Sequence, residues 1–180
     1  HRVSRPGTST SMLVKDYAPD AFEVIRQRFG IGHTEYLQHW RAPQYPRYAH
    51  SRRSKIIMCD DESMVLKTLS RNEAKVLFTV LPDYARYIVD NPATTLMKVF
   101  GLHRLHKGRE DTYFAVMSNA TTPQRDMTRY DLKGASGRKP ARRGDCRKDA
   151  DLKRCLLLPR ATHTRLVEQI ERDVRFLCEH

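Results

Sequence analysis

A lysine that closes a short apolar run is a ready ligand for an anion. Met64-Val65-Leu66-Lys67 is such a run. A strand here would aim the Lys67 ammonium at phosphate oxygens, and phosphoryl transfer needs that kind of positioning and charge neutralisation more than covalent chemistry. Read alone, Lys67 is most simply an ordinary exposed strand lysine. Six residues later Glu73 completes Ser70-Arg71-Asn72-Glu73, the pattern of a capping box. Its carboxylate has two uses open to it, holding a helix start or orienting Lys67. Asp131-Leu132-Lys133-Gly134 places a carboxylate, an ammonium and a glycine together. Gly134 permits a positive φ or a close backbone approach; the bland alternative is a polar turn. Arg138 and Lys139 follow, and either extend that positive field or belong to a solvated basic loop. His103 and His106 have a spacing found in metal sites, but no cysteine or carboxylate cluster completes them, so no metal ligands are expected. The sequence has no Gly-x-Ser-x-Gly and no Walker loop.

The elements around these residues are legible from periodicity. Residues 1–12 are poor in apolar side chains and read as a flexible leader, with order beginning near Val14. Pro19-Asp20 opens a helical pattern with Phe22, Ile25 and Phe29 on one face, and Gly30 is a natural stop. Residues 41–54, with Pro43, Pro46 and several arginines, read as a loop whose neighbouring aromatics, Tyr36, Trp40, Tyr45 and Tyr48, pack it onto a sheet. Lys55–Cys59 and Ser63–Thr68 flank Asp60-Asp61-Glu62 and predict a β-hairpin. After Ser70 a helix follows with Ala74, Leu77, Phe78 and Leu81 as its stripe, and Pro82 is expected to interrupt or restart it. Thr95–Phe100 and Thr112–Met117 read as two strands joined by a charged turn at His106–Asp111. Residues 138–160 predict a mobile basic loop. Thr162–Cys178 predicts an amphipathic helix with Leu166, Ile170, Val174 and Leu177 on one face. This order argues an α+β fold with a mostly antiparallel sheet and flanking helices, one domain over residues 13–180.

Composition bounds the function classes. The chain has 180 residues, 39% of them apolar, which is enough for one core and too much for a disordered chain. No apolar run is long enough to span a bilayer. Lys and Arg number 33 against 21 Asp and Glu, giving +12. That balance points to a polyanionic partner: nucleic acid, an anionic membrane face or a phosphorylated ligand. The four cysteines form no CxxC pair and suggest reduced thiols. Charge alone supports nucleic acid; no nucleic-acid-binding signature is present and the basic loop lacks stacking aromatics, so that partner is not expected.

Four segments, taken in order, resemble the phosphatidylinositol phosphate kinase family, of the phosphatidylinositol 4-phosphate 5-kinase type. They are Val14-Lys15-Asp16-Tyr17-Ala18-Pro19 with Phe22, Ile25, Arg26 and Phe29-Gly30-Ile31; Val65-Leu66-Lys67-Thr68; Asn91-Pro92-x-Thr94-x-Leu96 continued by Phe100-Gly101-Leu102-His103-Arg104; and Arg129-Tyr130-Asp131-Leu132-Lys133-Gly134. Asp173-x-x-Phe176-Leu177 also resembles the helix that precedes the family's catalytic loop. The resemblance covers roughly residues 12–178. It implies the N-terminal lobe of a fold distantly related to protein kinases, with the start of the part that follows.

By that resemblance Lys67 is the lysine that meets the ATP phosphates, with Glu73 as its orienting partner. Asp131, Lys133 and Gly134 lie by the nucleotide, with Lys67, Asp131 and Lys133 as catalytic residues. Ser54 would sit in a phosphate-covering loop, and Arg138 and Lys139 would meet a phosphoinositide head group. The expected activity is ATP-dependent phosphorylation of the inositol ring of a phosphatidylinositol phosphate. ATP and Mg²⁺ are the implied cofactors, with the magnesium ligands outside this chain. The implied setting is cytoplasmic, peripheral on an anionic membrane. A homodimer through the N-terminal lobe is also implied. Two departures matter. The family's small glycine-containing loop is matched here by Ser51-Arg52-Arg53-Ser54-Lys55. Its side chains cost backbone access to phosphate, so either Arg52 or Arg53 substitutes or ATP binding is weakened. The chain also stops at Phe176-Leu177-Cys178-Glu179-His180, before the family's catalytic-loop and magnesium aspartates. A kinase domain read in part, and a non-catalytic lobe that binds anionic lipid, nucleotide or a partner kinase, are the two expectations.

Overall fold

The computed structural model describes residues 2–3, 12–39, 47–50, 55–59, 63–120, 128–134, 146–153 and 157–180. They fall into two compact units, one of residues 1–120 with 169–180 and the other of residues 121–168.

The first unit is an antiparallel sheet with helices. Its strands are β1 (Arg2–Val3), β2 (Met12–Tyr17), β3 (Arg47–His50), β4 (Lys55–Met58), β5 (Met64–Leu69), β6 (Val99–Lys107) and β7 (Glu110–Ser118). Their order across the sheet is β1-β2-β6-β7-β5-β4-β3, and every neighbouring pair is antiparallel. The helices are α1 (Pro19–Arg28), α2 (His33–Gln38) and α3 (Arg71–Asp90), and the end of a fourth, α4 (Arg160–Glu179), also belongs to this unit. The α+β class with a mostly antiparallel sheet is the one expected.

The hairpin expected around residues 60–62 is present as β4 and β5, with Ile57 opposite Leu66. The loop expected over 41–54 instead contains β3, which adds a strand beyond β4; residues 41–46 and 51–54 lie outside the described residues. Of the expected leader, Arg2 and Val3 pair with β2, and β2 begins at Met12, two residues before the expected start of order. α1 ends as its glycine predicts. Gly30 has φ +72, its N–H bonds to the Gln27 carbonyl and the Ile31 N–H to the Arg26 carbonyl, which is a Schellman closure.

Ser70 caps α3. Its hydroxyl accepts from the Glu73 N–H at 3.2 Å, and the Glu73 carboxylate accepts from the Ser70 N–H at 2.7 Å. Ser70→Ala is therefore expected to cost about 1 kcal/mol, read as a lower urea midpoint with an unchanged slope. Contrary to expectation, α3 runs through Pro82 without a break. Leu81, Tyr84 and Ile88 are buried on either side of the proline. Burial stabilises each of them by about 1.5–3 kcal/mol, which outweighs the roughly 3 kcal/mol cost of an interior proline. The Tyr84 hydroxyl donates to the Met97 carbonyl at 2.6 Å and accepts from the Val99 N–H at 2.8 Å, tying α3 to the start of β6.

The strand expected from Thr95 begins at Val99. The Thr95 N–H and hydroxyl are both taken by Asp173, so they are not available to a ladder. The turn between β6 and β7 is tighter than expected: only Gly108 and Arg109 separate the paired Lys107 and Glu110, with Gly108 at φ +65. The core gathers Phe22 and Ile25 of α1, Ile88 of α3, Leu102 of β6 and Val116 of β7.

α4 corrects a second expectation. The apolar stripe Leu166, Ile170, Val174 and Leu177 is open to solvent, each between 38% and 59% exposed. The residues it buries are Gln169, Asp173 and Phe176. Phe176 stacks on Tyr87 of α3 at 4.4 Å between ring centroids. Amphipathic periodicity found the helix, but a polar network decides which side packs.

In the second unit β8 (Tyr130–Asp131) pairs in parallel with β9 (Arg147–Lys148), and a single 3₁₀ turn follows at Asp149–Asp151. Residues 147–151 of the expected basic loop thus carry regular structure, while 135–145 and 154–156 lie outside the described residues.

Candidate functional site

Lys67 stands in the middle of the sheet. Antiparallel register aligns Ile56, Lys67, Ala115, Leu102 and Tyr17 across β4, β5, β7, β6 and β2. Residues directly opposite share a face, so Lys67 lies on the same face as Ala115 and Leu102, which are 0% and 1% exposed. Lys67 itself is half-buried. Among the described residues no hydrogen bond or ion pair holds its amine. Lys67 is thus a half-buried cation on a core face, with no carboxylate of the described residues closing on it.

Glu73 has its own work in the cap. Its carboxylate is held below the usual range first by the Ser70 N–H, then by the Ser70 hydroxyl, with a smaller pull from the Lys67 charge. Among the described residues no ion pair joins Glu73 to Lys67. This carboxylate caps the helix, and its link to Lys67 is an attraction at a distance.

Asp131, Lys133 and Gly134 come together in the second unit. The Lys133 ammonium lies 2.6 Å from an Asp131 carboxylate oxygen, both side chains about half exposed. Gly134 has φ +66, the left-handed value its type allows. With that turn, the Lys133 and Gly134 N–H groups point to one place, where the Asp149 carboxylate accepts both. Ser54, Arg138 and Lys139, and with them Arg52 and Arg53, lie outside the described residues.

Two polar constellations were not read from the sequence. Asp173 of α4 is 2% exposed and its carboxylate accepts from the Tyr87, Thr94 and Thr95 hydroxyls, the Thr95 N–H and the Gln169 amide, all at 2.6–2.8 Å. Burial alone would raise its pKa; the donors, Thr94 and Thr95 foremost, more than reverse this and hold it well below the usual carboxylate range. The signal available was the resemblance of Asp173-x-x-Phe176-Leu177, which said nothing of partners 78–86 residues away. The second constellation begins at Asp16, whose carboxylate meets His103 Nδ1 at 2.7 Å. His103 Nε2 meets the Tyr36 hydroxyl at 2.8 Å, and the buried Arg26 guanidinium lies over the Tyr36 ring at 4.6 Å. Arg26 also donates to the Phe100 carbonyl at 2.7 Å.

His103 and His106, three apart on β6, fall on opposite faces; His106 pairs with Asp111 at 2.8 Å. Among the described residues no three His, Cys, Asp or Glu side chains group to hold a metal ion. An open groove of about 340 Å³ beside α3 is lined by Asn72, Lys75, Val76, Thr79, Val80 and His180, none of them a candidate site residue.

Residues 48–180 match the family model for Phosphatidylinositol-4-phosphate 5-Kinase. The chain belongs to this family. Similar proteins include Phosphatidylinositol 4-phosphate 5-kinase 10 of Arabidopsis thaliana, 32% identical over 96% of this chain and 42% of that protein. Phosphatidylinositol 4-phosphate 5-kinase type-1 beta of Gallus gallus is 29% identical over 91% of this chain and 33% of that protein. Phosphatidylinositol 5-phosphate 4-kinase type-2 gamma of Pongo abelii is 31% identical over 75% of this chain and 32% of that protein. The chain thus spans less than half the length of these curated relatives. Its antiparallel sheet with flanking helices is that of the N-terminal lobe of the phosphatidylinositol phosphate kinases. No helix among the described residues is long and apolar enough to cross a membrane.

Proposed function

We propose that this chain is the nucleotide-binding lobe of a kinase that transfers a phosphoryl group from ATP to the inositol ring of a phosphatidylinositol phosphate. The observation that carries the reading is Lys67, half-buried on the core face of β5 with no partner for its amine among the described residues. In this reading Lys67 in the first unit and Lys133 in the second each offer an ammonium to phosphate oxygens, and Asp131 holds that of Lys133 in place until phosphate competes for it. Gly134, at φ +66, supplies the left-handed turn that sets the backbone beside Lys133. Glu73 keeps the start of α3, and with it the end of β5, in position. Ser54 completes the nucleotide side, and Arg138 and Lys139 meet the lipid head group. Magnesium would screen the phosphates during transfer, but the described residues offer no cluster to hold it, and no step is placed on it.

The +12 charge suits a peripheral position on the anionic cytoplasmic face of a membrane, where each basic residue near the surface contributes about 1 kcal/mol. A homodimer through this lobe belongs to the same reading. The side chains of Ser51-Arg52-Arg53-Ser54 in place of glycines favour a second reading, a lobe that binds nucleotide or anionic lipid without turnover.

The test is binding of MgATP by the chain and its variants. Lys67→Met and Lys133→Ala are each expected to weaken binding about tenfold, the loss of one charge-assisted contact of about 1.4 kcal/mol, with unchanged melting temperature. Parent-like affinity in both variants would refute the site. Binding of phosphoinositide liposomes without any nucleotide binding would favour the second reading.

A further inference from the structure

We infer that Asp149 is a positioning residue for the proposed phosphate site, acting through the backbone of Lys133 and Gly134. The inference rests on the nucleotide reading above and extends it to a residue outside the Asp-Leu-Lys-Gly segment. Two successive N–H groups that converge, the second on a residue in the left-handed conformation, make an anion-binding nest. Here the nest is filled from within the chain. One Asp149 carboxylate oxygen accepts from the Gly134 N–H at 2.8 Å and from the Lys133 N–H at 3.1 Å, and the other oxygen accepts from the Lys133 N–H at 3.1 Å.

The rest of residues 146–151 fixes where that carboxylate stands. Arg147 and Lys148 pair with Tyr130 and Asp131, and the Arg147 N–H bonds to the Arg129 carbonyl at 2.9 Å. The 3₁₀ turn closes directly behind, with the Leu152 N–H on the Asp149 carbonyl at 3.1 Å and the Lys148 N–H on the Asp151 carboxylate at 2.9 Å. The segment is clipped to β8 at one end and folded back on itself at the other. Lys133 is exposed and its side chain has four rotatable bonds; what it keeps fixed is its backbone, and Asp149 is what fixes it. The carboxylate also sets a negative charge on the backbone side of the lysine. Phosphate is thereby left to the ammonium rather than to the amides, which Asp149 already fills.

The test uses the 180-residue chain, MgATP and amide NMR. Asp149→Ala is expected to weaken MgATP binding about tenfold, and Asp149→Asn, which keeps one acceptor oxygen, about threefold, following the roughly twofold greater strength of charged over neutral acceptors. In the parent the Lys133 and Gly134 amide protons should resonate downfield. In Asp149→Ala those two should move upfield, while amides of β5, β6 and β7 stay in place; a general structural role would move all of them. Unchanged MgATP affinity in Asp149→Ala, with Lys133→Ala weakened, overturns this inference and leaves the nucleotide reading standing. Tighter MgATP binding in Asp149→Ala also overturns it, since the carboxylate would then be competing with phosphate for the nest. Unchanged affinity in Lys67→Met and Lys133→Ala overturns the nucleotide reading and this inference with it.

Discussion

Asp173→Ala is expected to lower the stability of the first unit by about 3–5 kcal/mol, the cost of removing the acceptor from a buried charged network. The carboxylate takes five hydrogen bonds, from three hydroxyls, one backbone N–H and one amide. Truncation leaves all five donors facing one another where only 2% of the residue was open to water. A folded domain is stable by about 5–15 kcal/mol in total, so the loss is a large share of what holds it. The melting temperature should fall by about 10 °C or more. Asp173→Asn should be nearly as damaging, because its amide NH₂ turns a donor toward donors. The check is thermal and urea unfolding of both variants; an Asp173→Ala protein that melts within about 2 °C of the parent would show that the network contributes nothing net.

The same network gives a sign to acid unfolding. The Asp173 pKa is lower folded than unfolded, so its stabilisation is complete above the ordinary carboxylate value and is lost as pH falls below it toward the depressed folded one. His103 acts at higher pH. Its pKa is lowered, first by burial and with the Asp16 contacts opposing, so the unfolded chain takes the proton more readily. Stability should therefore begin to fall below about pH 6.5, the unperturbed histidine value, and fall again below about pH 4. Chemical denaturation across pH 3–8 reads both steps, and in Asp173→Ala the lower one should shrink.

The second large effect is expected at Gly101. A Cβ there would lie 2.5 Å from His103 Nε2 and closer still to the Tyr36 hydroxyl. Tyr36 is 5% exposed and its hydroxyl is engaged by His103, so neither side chain has room to withdraw. Gly101→Ala should cost about 2–4 kcal/mol, overpacking plus the loss of a buried hydrogen bond. Tyr36→Phe in the Gly101→Ala background should recover part of that loss, a coupling that a double-mutant cycle measures directly. Full additivity of the two substitutions would contradict the contact.

What the sequence made legible was local. The β4–β5 hairpin, the Ser70–Glu73 box and the Gly30 stop each depend on residues within a few positions of one another. Their chemistry acts whatever the rest of the chain does. α2 was missed because it is only 6 residues long, and its start rests on the Glu35 side chain reaching the Gly32 N–H at 3.4 Å. Pro82 misled because buried anchors on both sides of it outweigh its local cost. α4 misled more instructively. Its apolar stripe is on the surface, and it packs through a carboxylate and an amide, a choice made by Tyr87, Thr94 and Thr95 far away in sequence. Of the site, the lysines and their motifs were readable from residue type and order. The Asp149 clip was not, since its bonds join it to Lys133 and Gly134, 15–16 positions away in sequence.

In the proposed function this lobe grips a nucleotide by its terminal phosphates. The most direct measurement is a calorimetric titration of the parent chain with ATP, ADP and AMP in the presence of magnesium, repeated with Lys67→Met. Affinity is expected to fall from ATP to ADP to AMP in the parent, by about tenfold per lost charged contact, with a flattened series in Lys67→Met. Equal affinity for ATP and AMP, or the same series in parent and variant, would contradict it.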